Sequence, residues 1–509
     1  MKLRFMNRLQ RLLPVCQTNH RRSKAAARRR RAFIREPERL EPRALLSVTT
    51  TYQMNFVQNA DVDNVTAQPG ATSLATGGFA VLGTHSTHTD LDIFNGDLTE
   101  VGGAGNVTGT NSAIAQLSNG NLVIVGQDAD SILFRIHDST GNLVLGSTDI
   151  SDVNSSESDV AAANGSFWVV NQDTNGTTNW DIDVRRYSNA GVLLGGDTIG
   201  SSSAGQDARP RVAVLDNGNV AVAWQRNEFL GNEMWLAVFS STGGTVKAPT
   251  LIDAVGISNR DVDITSTPAG FAIVYVDSGW DTNTEDITMK RFSSTGTLLG
   301  TTNISDLSSG ADDFGHEAKP TVTRLANNLL VAGWEDNRQT APGSNLTDTF
   351  VYLIDPSTGT RLSPGRNVSA GQPETDDVEQ ITIAGSANGR INVFHRNVTD
   401  NDIDGETLVG QRTSTSNIPG DTITGDAFID IMHGNGGSDT LLGGGNNDIL
   451  NGDNGDDTLN GGTGDDILNG GNHDDTLVGR SGADSLDGGS GIDTANYTAN
   501  SSCSRAWTR

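Results

Sequence analysis

An all-β chain built from two unlike repeats is predicted by three observations. Near its end, nine aspartates recur every ninth residue: Asp421, Asp430, Asp439, Asp448, Asp457, Asp466, Asp475, Asp484 and Asp493. Between about residues 50 and 418 a looser unit recurs, in which alternating apolar residues flank a short turn. The charge also changes sign along the chain, which sets a basic leader apart from both repeats. These observations divide the 509 residues into a leader (1–48), a repeat domain (49–418), a nonapeptide segment (419–497) and a polar tail (498–509).

The leader comes first. Residues 1–46 hold fourteen Lys and Arg against three Glu, so the formal charge of −27 for the whole chain leaves −38 on the remainder. So acidic a surface argues against nucleic acid and anionic lipid as partners, because both need positive charge. The run Arg28–Arg31 alone would suit a nucleic-acid arm. However, Leu40-Glu41-Pro42-Arg43-Ala44-Leu45-Leu46 resembles the LEPR-XLL motif that closes long basic leaders on bacterial secreted and surface proteins, and the resemblance implies sorting to that location. No stretch reaches the ~18 apolar residues of a membrane span, so insertion is not expected. Cys16 and Cys503 are the only cysteines, which excludes a disulfide-stapled fold. The tail is polar and unrelated to the repeats before it, and it is expected to be a truncated or frameshifted end.

The repeat domain is clearest where Pro210–Trp224 is set beside Pro320–Trp334: apolar alternation, a two-residue turn, more alternation, which is a β-hairpin. Equivalent turns fall at Gly78, Gly120, Gly165, Gly218, Gly270, Asn328 and Gly389, and a second hairpin turns at Gly141, Gly191, Gly243, Gly296 and Gly359. Four strands per unit at these spacings suit a seven-bladed β-propeller-like domain. The seventh unit lacks its last strand after Gln411. The alternating segment Tyr52–Val57 precedes the first unit and is expected to fill that gap, leaving no open sheet edge. Acidic loops with Trp180, Trp224, Trp235, Trp280 and Trp334 in or beside them offer an aromatic platform for sugar, or are simply solvated. Asp400-Asn-Asp402-Ile-Asp404-Gly405 has the opening of a calcium loop but Gln411 at the twelfth position, where glutamate is needed.

The nonapeptide segment carries the chemistry. Each repeat divides into a six-residue turn and a three-residue strand. The turn needs glycine because its backbone visits positive φ and crowds an ion. The strings GDNGDD (452–457), GGTGDD (461–466), GGNHDD (470–475) and GGSGID (488–493) resemble the RTX family of calcium-binding nonapeptides. The resemblance implies a parallel β-roll in which two repeats make one coil and turns 18 residues apart sandwich Ca2+. The ligand set it implies is Asp439, Asp448, Asp457, Asp466, Asp475, Asp484 and Asp493, with Gly434, Gly443, Gly452, Gly461, Gly470, Gly479, Gly488, Gly455, Gly464, Gly482 and Gly491. Asp421 and Asp430 are weaker members, because the turn before Asp430 reads GDAFI. Asn446 and His473 stand where the family has glycine. The paired turns are those ending at 439 and 457, 457 and 475, 475 and 493, 448 and 466, and 466 and 484.

The pairing has support of its own, since the residue after each aspartate alternates between Thr (422, 440, 458, 476, 494) and Ile (431, 449, 467) or Ser485. Two sheets are expected, one faced with threonine and one with an isoleucine stripe that offers a docking surface. Inside runs one apolar residue per strand, Ile423, Met432, Leu441, Leu450, Leu459, Leu468, Leu477 and Leu486. Residues 420–497 hold fifteen aspartates, no glutamate and one basic residue, Arg480, a charge of −14. Folding therefore depends on the ion.

Two functional classes follow. One is a secreted or surface calcium-binding protein whose propeller binds a glycan, a matrix polymer or a surface protein without catalysis. The other is an extracellular propeller hydrolase or lyase acting on polysaccharide. Abundant acid makes each candidate carboxylate pair uninformative. His85 and His88 with Asp90 and Asp92 form the one local cluster suited to a transition metal, and a polar surface loop explains them as well.

Overall fold

A computed structural model describes residues 49–496 except 63–66, 86–87, 96–98, 129–130, 151–155, 174–179, 201–204, 229–230, 257–259, 278–285, 306–316, 337–347, 369–377, 386–389, 398–401 and 417–419. The leader motif, both cysteines, Trp280, Gly389 and the tail lie outside the described residues.

Alternation and turn chemistry shape the first region. Blade one consists of Ala67–Ser73, Phe79–Thr84, Thr89–Phe94 and Glu100–Thr108, paired in that order as an antiparallel meander. Five more self-contained four-stranded sheets follow at 110–149, 156–199, 206–256, 260–303 and 317–367. In each blade the second strand packs against blades on either side, which is why it reads as an unbroken apolar run. Phe271 to Val276, for example, are all fully buried. The turns need a left-handed residue, and the sequence supplies one at Gly120 (φ 88°), Gly218 (φ 83°) and Asn328 (φ 70°) in the first hairpins, and at Gly191 (φ 79°) and Gly296 (φ 81°) in the second. In blade one the left-handed residue of that pair is Gly77 (φ 88°), one position before the expected Gly78.

The expected seven blades resolve into six separate ones plus a shared sheet. Val378–Gly385, Arg390–Asn397, Asp402–Thr415 and Thr49–Val62 pair antiparallel, but they belong to an eight-stranded sheet that continues into the nonapeptide region. The N-terminal strand pairs from Thr49 with Thr415 through to Val62 with Ile403, longer than the expected Tyr52–Val57. The ring closes because Val378–Gly385 packs on both Glu317–Arg324 and Ala67–Ser73. Phe79 stacks on Phe94 at 5.0 Å and meets Phe394 at 5.2 Å across the seam.

Asp402–Thr415 joins the two regions. Its first eight residues pair with Arg390–Asn397, and its last five pair in parallel with Ile429–His433. Asp402 to Gly405 are therefore extended strand and do not form a calcium loop.

Beyond that junction the chain winds as a parallel β-solenoid, with no helix among the described residues. One sheet stacks Ile429–His433, Ile449–Asn454, Ile467–Asn472 and Ser485–Ser490. The other stacks Thr422–Thr424, Thr440–Gly445, Thr458–Thr463, Thr476–Ser481 and Thr494–Asn496. Thr440 pairs with Thr458 and Ile449 with Ile467, so each coil takes 18 residues. The single apolar column from Ile423 to Leu486 is buried throughout. On the isoleucine face, Ile431 and Ile449 are half-buried and Ile467 is 43% exposed.

Candidate metal centre

The turns of the solenoid repeat one backbone solution. Their second residue is left-handed at Asn435, Gly444, Asp453, Gly462, Gly471, Arg480 and Gly489, and so is their fourth at Gly437, Asn446, Gly455, Gly464, His473, Gly482 and Gly491. This geometry turns successive peptide groups inward and brings the sixth residue, the aspartate, beneath the first. The amide of each aspartate then donates to Oδ1 of the aspartate one coil later: Asp439 to Asp457 at 2.7 Å, Asp448 to Asp466 at 2.9 Å, Asp457 to Asp475 at 2.8 Å and Asp466 to Asp484 at 3.1 Å. Asp475 donates likewise to Asp493 at 3.0 Å.

The other oxygen of each carboxylate is left over. Oδ2 of Asp439, Asp448, Asp457, Asp466 and Asp475 is buried and accepts no hydrogen bond from the protein. Each belongs to the first turn of one of the five turn pairs named from the sequence. Burying a carboxylate oxygen without a partner carries a large desolvation cost, so these positions call for a cation.

The first glycine of each turn shows what surrounds that oxygen. A Cβ on Gly434 would stand 2.9 Å from Asp439 Oδ2 and 2.7 Å from the carbonyl oxygen of Gly452 one coil on. Gly443, Gly452 and Gly470 are hemmed in by the same two kinds of oxygen, and Gly461, Gly479 and Gly488 by the carboxylates of Asp466, Asp484 and Asp493. At the fourth position, Gly455, Gly464, Gly482 and Gly491 back directly on the carbonyls of Gly437, Asn446, Gly464 and His473. Carboxylate and carbonyl oxygens thus converge, and only glycine leaves the space open. An all-oxygen donor set in a flexible turn fits calcium, and it does not fit metals that require nitrogen, sulfur or a strict octahedron.

Electrostatics agree. Burial first, and then neighbouring aspartates of the row, push the carboxyl of Asp448 up to about 9, that of Asp466 to about 7 and that of Asp457 to about 6, and raise Asp475 as well. Without a cation Asp448 would keep its proton at neutral pH, and Asp466 would hold one about half the time.

The heads of the two rows differ. Asp421 Oδ2 accepts from Ser416 Oγ at 2.5 Å and its Oδ1 from the Thr422 amide at 2.7 Å. Asp430 Oδ1 accepts from Arg412 Nε at 2.5 Å, and its Oδ2 from the Asp426 amide at 3.0 Å. Protein donors therefore engage both oxygens of these two aspartates. The irregular turn GDAFI has a reason too: Phe428 is fully buried in a cluster with Met54, Val331, Leu353 and Leu408 of the propeller. Asp426 lies 3.4 Å from Arg412 and accepts from Asn327 Nδ2 at 3.3 Å.

Sequence reasoning missed these anchors, and it also missed ladders at other positions of the repeat. Asp456 Oδ1 accepts from the Asp474 amide at 3.2 Å, Asp465 from the Ala483 amide at 2.6 Å, and Asn469 Nδ2 donates to Asn451 Oδ1 at 2.8 Å. The 18-residue recurrence of Asn451 and Asn469 was the available signal. In the propeller the aromatic-platform expectation needs correction: Trp224 and Trp334 are fully buried core, while Trp180 and Trp235 are half-buried.

The family model for the RTX calcium-binding nonapeptide repeat matches residues 420–450, 451–486 and 460–495. The solenoid is built of these repeats, and its ion is calcium. No curated protein matches the chain. Among solved structures, a Dyadobacter fermentans protein of unknown function is similar at 11% identity, covering 70% of this chain and 98% of that one with a TM-score of 0.43. An α-L-arabinanase of Penicillium chrysogenum complexed with arabinobiose is similar at 10% identity, covering 60% and 100%, TM-score 0.42. An ulvan lyase of polysaccharide lyase family 25 is similar at 8% identity, covering 68% and 95%, TM-score 0.44.

Proposed function

We propose that this is a secreted or cell-surface calcium-binding protein whose C-terminal roll orders on Ca2+ and whose propeller is a noncatalytic binding or adhesion module. The observation that carries the first half is the row of buried carboxylate oxygens without protein partners. Extracellular calcium modules bind at roughly 10⁻⁴ to 10⁻³ M, so a roll of this kind would fold outside the cell and stay open inside it.

Support for the second half comes from how blades three and four use their acidic and aromatic groups. Asp207 Oδ1 accepts from Trp224 Nε1 at 2.8 Å and from Arg226 Nε at 2.7 Å, and Arg226 lies over the Trp235 ring at 3.9 Å. Asp183 accepts from Arg185 and Thr198, both at 2.6 Å. Asp207, so committed to an indole and a guanidinium, serves the fold and is not placed to exchange protons with a sugar. The partner is accordingly a glycan, a matrix polymer or a surface protein. Incubating the calcium-loaded protein with a polysaccharide panel tests this. Retention without new reducing or unsaturated ends supports the binder, and new chain ends would replace it with a hydrolase or lyase.

A further inference from the structure

We propose that blade one carries a transition-metal site made by His85, His88 and Asp90, chemically distinct from the calcium sites of the roll. The three residues flank the turn between Phe79–Thr84 and Thr89–Phe94. The amide of His85 donates to the His88 carbonyl at 2.7 Å, which closes the turn. Beneath it, the buried hydroxyls of Thr84 and Thr89 pair at 3.1 Å, and Thr89 Oγ1 also donates to the Gly109 carbonyl at 2.5 Å. The two strand ends that carry His85 and His88 are thus tied together from below.

Above that base the two imidazoles stack at 4.5 Å with planes 15° apart. Both turn Nε2 toward one carboxylate: His85 lies 3.2 Å from Asp90 Oδ2 and His88 3.6 Å from Asp90 Oδ1. One ligating atom from each residue falls within 4.8 Å of the others. Metal–ligand bonds of about 2.0–2.2 Å in a tetrahedron put ligand atoms about 3.3–3.6 Å apart, so three ligating atoms already within 4.8 Å of one another need only a small side-chain adjustment to take one ion.

Asp90 is held for the purpose. Its Oδ1 accepts from the Asn106 amide at 2.6 Å, Asn106 is left-handed at φ 55°, and the Asn106 carbonyl accepts from Arg135 Nη1 at 2.5 Å. A ligating carboxylate anchored through a second hydrogen bond is the usual support of a metal centre. Asp92 lies on the same face of the strand, and Asp90 and Glu100 both act on it electrostatically, so the surroundings favour a cation. Two imidazole nitrogens and one carboxylate suit Zn2+, Co2+, Ni2+ or Cu2+ and do not suit Ca2+. The side chains are 21%, 36% and 32% exposed, so an ion can enter, and the three ligands leave a fourth position for water or a partner's donor atom.

The test uses the full chain held in excess Ca2+, titrated with Co2+ while visible ligand-field absorption is followed. One saturable equivalent, displaced by Zn2+, is expected. His85→Ala and His88→Ala should each weaken it by at least about tenfold, and the roll variant Asp457→Asn should leave it unchanged. Far-UV circular dichroism of each variant confirms that blade one is folded. No absorption in the wild type, or the same absorption in the His85→Ala/His88→Ala double variant, would overturn the site.

Discussion

The propeller and the roll are both all-β, yet they are held together by opposite means. In the propeller, whole strands vanish between neighbouring blades, and a buried ion pair such as Arg226 with Asp207 closes within the polypeptide. In the roll each nine-residue repeat buries one apolar side chain, worth about 1.5–3 kcal/mol, and five repeats, those of Asp439, Asp448, Asp457, Asp466 and Asp475, set beside it a carboxylate oxygen that no protein group satisfies. The first region is complete as a polypeptide; the second becomes complete only with an ion. On the proposed function, a single chain keeps a preformed propeller while making its C-terminal part conditional on the medium.

Removing the ion should separate the two most sharply. With EDTA the roll should lose its β signal and become open to a nonspecific protease throughout 420–496, while the blades stay resistant. Limited proteolysis read by mass spectrometry decides this, and equal protection of both regions with and without calcium would erase the contrast.

The junction is the next place to press. Phe428→Ala removes a fully buried ring at the propeller seam and should cost about 3–5 kcal/mol, while Arg412→Ala strands Asp430 in the interior at a comparable cost. Because both groups tether the head of the roll, either change should raise the calcium midpoint for roll folding. A propeller melting transition that moves while the calcium midpoint stays put would show that the junction belongs to the blades alone.

Proton binding gives a smaller, signed effect. The folded roll raises Asp448 to about 9 and Asp466 to about 7 from an ordinary value near 4. Folded without calcium, it therefore binds more protons than the unfolded chain between those values, and its stability falls as pH rises through them. Acidifying the calcium-free protein from pH 8 to pH 5 should restore part of the roll's β signal, and over the same window calcium affinity should drop. Circular dichroism in EDTA at the two pH values reads the first effect, and loss of signal on acidification would contradict it.

What the sequence shows of this molecule follows the same divide. Repeats are legible because every copy solves the same local problem: the aspartate rows, the leucine column and the left-handed turn residues all recur at fixed spacing. The strand that closes the ring was legible because Tyr52–Val57 alternates and the last unit is one strand short. Phe428 looked like a flaw in the repeat, since its reason lies in Met54 and Leu408, far away in sequence. Trp224 and Trp334 read as surface aromatics because alternation at a strand end does not reveal which face a neighbouring blade will cover. The shared sheet was hidden for the same reason: a strand that changes partners halfway leaves no mark in its own residues.

His473 offers the finest test of how the roll tolerates departures from glycine. Where the fourth turn residue has a side chain it sits at φ 74° (Asn446) or 81° (His473), whereas the glycines open to values between 116° and 156°. A Cβ on Gly464 would strike the Asn446 carbonyl, so His473 and Asn446 fit only by retreating to the left-handed well, at about 1–2 kcal/mol for an L-residue. His473→Gly releases that strain but adds back about 0.5–1 kcal/mol of unfolded-chain entropy. The net gain should be a few tenths to about 1 kcal/mol, seen as a severalfold lower calcium midpoint at most. Gly464→Ala must instead push a carbonyl row apart and should raise the midpoint by more than His473→Gly lowers it. If both changes moved the midpoint upward, the histidine would be contributing more through its own contacts than its backbone costs, and uniform glycine would not be the roll's best turn.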